Sequence, residues 1–248
     1  MTPYYETEPN YVYSLSGGKD STAMVHMAVE RGEKIHSIVF FDTGWEFPQM
    51  YDHIDLVEKN LGIKIWRLQS RLPFEYWMFH RPIVARKGPM KGKVHRMGNG
   101  WPSSSRRWCT REKVGTIEYF CKPIPNAVSC IGYAADEDRG TPNSKTPKRF
   151  PLKEWDITES DALEYCYNLG YRWDGLYEIF RRVSCYCCPL QRIGELRSLR
   201  KHFPELWQKT LDMDRARPEH NRGFMGYKTV EDFEKRFSDE DRQTKLAN

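Results

Sequence analysis

Apolar positions along this chain alternate between two periods. The runs Tyr11-Val12-Tyr13-Ser14-Leu15, Ile35 to Phe41, Ile63 to Leu68 and Ala127 to Gly132 are short and rich in β-branched and aromatic residues, as buried strands are. Between them lie stretches with helical spacing, from about Asp20 to Arg31, Phe47 to Leu61 and Thr110 to Cys121; Gly32 and Gly62 stand where the first two should end. Arg149-Phe150-Pro151-Leu152 reads as the start of a fifth strand. Strands alternating with helices require right-handed crossovers and a mostly parallel sheet. The predicted fold class is therefore α/β, a mostly parallel Rossmann-like sheet flanked by helices. Beyond Trp155 the pattern turns helical. Thr158-Glu159-Ser160-Asp161 looks like a capping-box start for a helix reaching about Leu169. Further helices are expected at Leu176 to Val183, Ile193 to Lys201 and Pro204 to Met213, with a solvated helix or frayed tail at Glu231 to Arg242. The expected division is 1–155, an α/β domain with a basic insertion at about 70–106, and 156–248, a helical C-terminal region bearing a Cys-x-x-Cys pair.

The main chemical signal sits where the first strand turns into the first helix, at Ser16-Gly17-Gly18-Lys19-Asp20-Ser21. Two glycines permit a tight turn, and a helix start offers unpaired N–H groups with partial positive charge. Lys19 adds a full charge, and Ser16, Ser21 and Thr22 add hydroxyls, so the geometry suits a phosphate. The Walker spacing Gly-x4-Gly-Lys-Ser/Thr is absent. Ligands of parallel sheets bind beyond the carboxyl ends of the strands, where Asp42-Thr43-Gly44 also falls.

Composition narrows the setting. Met1 to Asn10 carries Glu6 and Glu8 and no apolar run, so no secretory signal is read there, and no segment approaches the roughly 20 apolar residues of a membrane span. Seven cysteines without such a signal point to a reducing, cytoplasmic setting and to thiols used for metal binding or catalysis. The net charge is +5, but its distribution matters more: Arg81 to Lys113 holds ten Lys/Arg residues and one acid, Glu112. With four glycines, this stretch reads as a mobile basic loop, either a solvated insertion or a lid over nucleotide phosphates or a nucleic-acid backbone. Cys185 and Cys188 can grip one metal or cluster between them, while Cys109 stands at a helix start, which favours a thiolate. Cys121, Cys130 and Cys166 lie on apolar patterns and read as core, as do Trp66, Trp77, Trp155 and Trp173.

Taken together, several blocks resemble the phosphoadenosine-phosphosulfate (PAPS) reductase-like branch of the PP-loop superfamily of adenine-nucleotide enzymes. They are Ser16 to Ser21, Phe41-Asp42-Thr43-Gly44 with Phe47-Pro48, Arg107-Trp108-Cys109-Thr110, Gly132 through Asp136-Glu137, Pro151-Leu152 with Trp155, and Cys185-x-x-Cys188-Pro189. The resemblance implies that Ser16, Gly17, Gly18, Lys19, Asp20 and Ser21 hold nucleotide phosphates. It places Asp42, Thr43 and Gly44 beside the adenosine, with Gly132 under the ribose. Arg106, Arg107 and Arg111 become clamps on an oxyanion, Lys19, Asp20, Arg107 and Arg111 the catalytic set, and Asp136, Glu137 and Asp138 either a solvated turn before Arg139-Gly140 or a Mg²⁺ site. Iron–sulfur members join a cysteine like Cys109 to the later pair around a [4Fe–4S] cluster; here Trp108 replaces the adjacent cysteine, leaving Cys187 as a candidate fourth ligand, and zinc or no metal remains open.

The C-terminal nucleophilic cysteine of the reductases is missing: nothing thiol follows Cys188, and Pro218-Glu219-His220-Asn221 stands in that region. The implied activity is then cleavage of ATP to AMP and pyrophosphate to activate a nucleic-acid or small-molecule acceptor for sulfur transfer. A sulfur-donor protein and further copies of the chain are the partners considered. The alternatives are a PAPS or adenosine-phosphosulfate reductase with a relocated cysteine, and a nucleotide- or nucleic-acid-binding subunit of a modification complex.

Overall fold

The computed structural model describes residues 8–138, 140, 144–218 and 221–247; the remaining positions, including most of the stretch read for a signal and Glu219-His220, lie outside the described residues. The elements run β1 (Asn10–Ser14), α1 (Lys19–Glu30), β2 (Ile35–Asp42), α2 (Pro48–Leu61), β3 (Ile65–Gln69), β4 (Pro82–Val84), β5 (Val94–Met97) and α3 (Trp108–Cys121). They continue with β6 (Ala127–Ile131), β7 (Lys148–Arg149), α4 (Pro151–Glu154), α5 (Glu159–Asn168), α6 (Leu176–Ile179), α7 (Ile193–His202), α8 (Pro204–Arg215) and α9 (Val230–Ala247). Two compact units share them. One comprises the residues up to Ser70, Arg111–Glu178 and Arg182–Ser184; the other comprises Arg71–Thr110, Ile179–Arg181 and Cys185 onward.

The first unit is the expected α/β fold, a five-stranded sheet in the order β3-β2-β1-β6-β7 with every pairing parallel. Its central strands are apolar without alternation because both faces are covered: Ile38, Val39, Phe40 and Phe41 of β2 are all buried. Val12 and Val39 meet Ile117 and Cys121 of α3. From β1 the chain steps one way to β2 and β3, then returns to the other side of β1 for β6 and β7. The strand order therefore reverses between β1 and β6, the place where parallel sheets open a crevice for ligands.

Two expectations change. The fifth strand stops after Lys148 and Arg149, since Pro151, which has no N–H to give a ladder, opens α4 instead. Trp66 is exposed, because β3 is an edge strand; its ring packs near Phe120 and under Lys64. Helix α5 packs against α1 within the first unit.

In the second unit, β4 and β5 form an antiparallel hairpin, so the basic stretch expected to be a mobile loop is ordered. Its nine-residue connection is tied by backbone bonds from Ala85 N–H to Lys93 O (2.9 Å), Gly92 N–H to Ala85 O (2.9 Å) and Lys91 N–H to Gly88 O (3.0 Å). The mixed-charge end is a helix, as one of the two expectations had it, but it is not wholly solvated. Helix α9 buries Val230, Phe233 and Phe237, an i, i+3, i+7 stripe that the surrounding charges mask in the sequence. Asp214 of α8 anchors this unit, accepting from Trp101 Nε1 (2.7 Å), Arg217 Nε (3.1 Å) and the Val230 N–H (2.7 Å).

Candidate functional site

After β1, Leu15 still donates its N–H to Val39 O (2.9 Å), and the chain leaves the sheet at Ser16. Gly17 follows with φ +80°, and a Cβ there would stand 2.7 Å from Met50 Cε. Both conformation and space thus demand glycine at this turn. Helix α1 begins at Lys19 with Gly18 as its N-cap and no side-chain cap. The Ser21 hydroxyl folds back to donate to Gly18 O (3.0 Å) and accepts the Ser16 N–H (3.0 Å). With its one proton so engaged, it receives the Ser16 hydroxyl proton across 2.9 Å. The two serines therefore shape the loop from within. Gly132, just past β6, backs this loop: a Cβ there would lie 3.0 Å from Ser21 Cα and 3.1 Å from Ser21 N. The residue expected under a ribose is also the floor of the α1 N-terminus.

Residues far along the chain hold the same turn. Trp173 Nε1 donates to Gly17 O (2.7 Å), Tyr177 Oη accepts the Lys19 N–H (2.8 Å), and the Cys166 thiol lies 3.4 Å from Lys19 O. Trp173 and Asp174 adopt left-handed backbone (φ 47° and 50°), a strain of order 1–3 kcal/mol per residue that the packing of Trp173 must offset. His53 packs against Trp173 with ring centroids 4.5 Å apart and a 31° tilt, and meets Thr22 Oγ1 through Nε2 at 2.9 Å. Burial takes the His53 pKa down to about 3, helped by nearby His26, so the ring is neutral. The Lys19 ammonium is buried between Asp20 Oδ1 (2.7 Å) and Glu159 Oε2 (3.0 Å), and Glu159 in turn donates its N–H to Asp136 Oδ1 (2.9 Å). A phosphate drawing on Lys19 must compete with those two carboxylates.

At the end of β2, Asp42 organises the neighbouring loop. Its Oδ1 accepts the Gly44 N–H (2.8 Å) and the Tyr51 hydroxyl (2.7 Å), and its Oδ2 accepts from Gln69 Nε2 (2.8 Å). Thr43 Oγ1 donates to Glu46 Oε1 (2.9 Å) and accepts the Trp45 N–H (3.1 Å). The Asp42 and Thr43 side chains thus fix the loop's shape by holding the Gly44 and Trp45 N–H groups.

Arg111 lies in the first unit; Arg107, Cys109, Cys185, Cys187 and Cys188 lie in the second. Cys109 departs from the expected thiolate. Burial pushes its thiol above the ordinary value, outweighing the Thr110 hydrogen bonds and the Arg107 charge that pull it down. Cys188 N–H bonds back to Cys185 O (3.1 Å), and Gln191 Nε2 donates to Cys185 O (2.9 Å). Cys187 is buried, whereas Cys185 and Cys188 are partly exposed. Among the described residues, no three His, Cys, Asp or Glu side chains are grouped closely enough to hold a metal ion, so the cysteine set does not form a closed cluster or zinc shell here. Cys121, Cys130 and Cys166 are core, as expected; burial raises Cys130 and Cys166 to about 12.

The sequence reading missed Glu159, His53, Trp173 and Tyr177 as neighbours of the loop. Trp173 carried the one available signal, an indole that must place its N–H when buried, and that N–H went to the loop.

The family model "Phosphoadenosine phosphosulfate reductase domain" matches residues 10–81. Two uncharacterized proteins of Methanocaldococcus jannaschii are 27% and 24% identical, over 89% and 85% of this chain but only 45% and 50% of theirs. The chain thus spans about half the length of the curated relatives it matches. Sulfate adenylyltransferase subunit 2 of Erwinia tasmaniensis is 35% identical over 79 residues, 31% of this chain and 25% of that protein. The crystal structure of PAPS reductase from Candida auris superposes with a TM-score of 0.50 at 17% identity, covering 73% of this chain and 83% of that one. Residues 10–81 thus match the PAPS reductase domain family model, and the chain shares its fold with the Candida auris PAPS reductase.

Proposed function

We propose that this chain is an enzyme that binds ATP on the Ser16–Ser21 loop and cleaves it between the α- and β-phosphates. An oxygen of an acceptor attacks the α-phosphorus, pyrophosphate leaves, and hydrosulfide then displaces AMP to leave sulfur on the acceptor. The balance is redox-neutral: one phosphoanhydride bond is broken, the acceptor oxygen departs with AMP, and hydrosulfide supplies the new sulfur. The observation that carries this reading is the preformed turn at the strand-order reversal, with Gly17 left-handed and Gly132 backing the N-terminus of α1. Lys19 would meet the leaving phosphates after exchanging a carboxylate for them, and Asp42-Thr43-Gly44 would border the adenine. Arg107 and Arg111 remain candidates for stabilising developing charge. No step is assigned to a cluster, because the cysteines do not converge.

The test is release of labelled pyrophosphate and AMP from ATP when candidate acceptors and sulfide are supplied, with Gly17→Val as the control that destroys the turn. Absence of both products with nucleic-acid and small-molecule acceptors alike would refute it. The family match favours a second reading, reduction of an adenylyl sulfate. That reading predicts sulfite release with thioredoxin as reductant, lost on Cys187→Ser; Cys187 is 1% exposed, so its thiol would have to be uncovered to act.

A further inference from the structure

The β4–β5 hairpin is a chemically one-sided element. Arg81, Arg86, Lys87, Lys91, Lys93 and Arg96 lie on or beside it, with no acid from Tyr76 to Arg111. None of the six forms an ion pair with a described carboxylate, although elsewhere in the same unit arginines are paired freely, as Arg200 is with Glu234 and Asp241. Arg86, Lys87, Lys91 and Lys93 are exposed on the connection whose backbone is laced by its own hydrogen bonds. They are cations on a fixed frame, so ordering them on a ligand costs less than ordering a mobile loop would.

A second observation points to an anion. Arg96, on β5 opposite Ile83, has its Nε shielded from solvent with no acceptor among the described residues. Burial and the adjacent Arg106 guanidinium both disfavour its charge. Two neighbouring guanidiniums with no described carboxylate between them lack the counter-charge that an oxyanion would supply.

The distribution decides what kind of oxyanion. From Arg81 to Ala85, tied to the opposite side of the hairpin at both ends by Gly98 N–H to Arg81 O and Ala85 N–H to Lys93 O, the chain advances on the order of 13 Å at about 3.3 Å per residue, so the charge is spread along an arm. A triphosphate concentrates its charge on three adjoining phosphorus atoms, whereas a polynucleotide spaces one charge per nucleotide along a strand. Exposed Val84, Val94 and Met97 add an apolar face that can lie against sugars and bases. We propose that the β4–β5 hairpin, with Arg96 and Arg106 at its base, is a docking surface for a polynucleotide phosphate backbone. The acceptor class would then be nucleic acid; that last step rests on the adenylylation reading, while the docking itself does not.

Fluorescence anisotropy of the full chain with labelled single-stranded RNA, single-stranded DNA and duplex DNA tests this, with ATP binding titrated in parallel. Four phosphate contacts predict a log–log salt slope near −3 for a single strand, about a 50-fold loss of affinity between 50 and 200 mM salt. The variant R86S/K87S/K91S/K93S, all exposed positions, should lose most of that slope and keep its ATP affinity. Arg106→Gln, also exposed, should weaken polynucleotide binding by itself. Preference for RNA or for DNA names the source and supports the proposal either way. Unchanged polynucleotide binding in the quadruple variant, equal competition by polyglutamate, or no binding at 50 mM salt would overturn it. A quadruple variant that loses ATP affinity instead would make the hairpin a nucleotide lid and overturn it too. If the polynucleotide binds yet no pyrophosphate forms, docking stands and the adenylylation reading fails.

Discussion

Lowering the pH from 7 to 5 should remove about 2 kcal/mol of stability from the nucleotide-binding unit through one side chain, His53. The ring is 4% exposed, packed against Trp173 and bonded to Thr22 Oγ1, and burial holds its pKa at about 3. In the unfolded chain it titrates near 6.5. Above that value both states carry a neutral ring and nothing is lost. Below it the unfolded chain takes up a proton that the folded one refuses, so stability falls by about 1.4 kcal/mol per pH unit until the folded ring protonates near pH 3. At pH 5 the chain is about 1.5 units into that window, which gives the 2 kcal/mol. His53→Gln keeps a polar atom near Thr22 and removes the titration. It should start less stable, having lost the ring contact with Trp173, yet decline less with acid. His26, hydrogen-bonded to Tyr171 Oη at 2.7 Å and itself lowered by burial, is present in both proteins and cancels in the difference. Urea unfolding of the two proteins at pH 7, 6 and 5 supplies the comparison. If both lose the same free energy between pH 7 and 5, His53 is not the buried neutral base described.

Two substitutions probe the site and the second unit separately. Gly132→Ala would press a methyl group against the Asp20–Ser21 backbone at 3.0–3.2 Å, which cannot swing aside as a side chain could. It should cost about 1–3 kcal/mol, with ATP affinity falling as the α1 N-terminus shifts. Calorimetric ATP titration beside a melting curve checks this, and unchanged affinity would mean that the loop tolerates displacement. Asp214→Ala should cost about 3–5 kcal/mol in chemical denaturation, because Arg217, the Trp101 indole and the Val230 N–H lose a buried carboxylate. A loss under about 1 kcal/mol would show that those donors find other partners.

The first unit was legible because its signals are local. Strand runs, glycine stops and the Ser16–Ser21 turn each depend on residues within one element, and parallel pairing follows from their alternation. What could not be read depends on contacts across the sequence. Nothing near Lys19 announces that Glu159 will neutralise it, and nothing near Tyr177 says that its hydroxyl will take a helix-start amide. The α9 stripe was hidden by density of charge, and the hairpin by glycines that read as mobility but serve as turn positions, Gly88 and Gly92 both having positive φ. The Cys109 thiol shows a local rule losing to a non-local one: the helix start favours ionisation, while the surrounding burial opposes it more strongly.

The grip of Trp173 and Tyr177 on the turn bears on how this region can be divided. The stretch 10–81 contains every residue of the turn itself, yet the groups that receive Lys19 N–H and reach Gly17 O stand more than 150 positions downstream. An excised fragment ending near Arg81 would keep the motif and lose its clamp, along with β6 and the Gly132 floor. The signature is thus contiguous in the gene but discontinuous as an object. A recombination that transplanted the first third of the chain would carry the lettering of a phosphate cradle without the scaffold that holds it in shape.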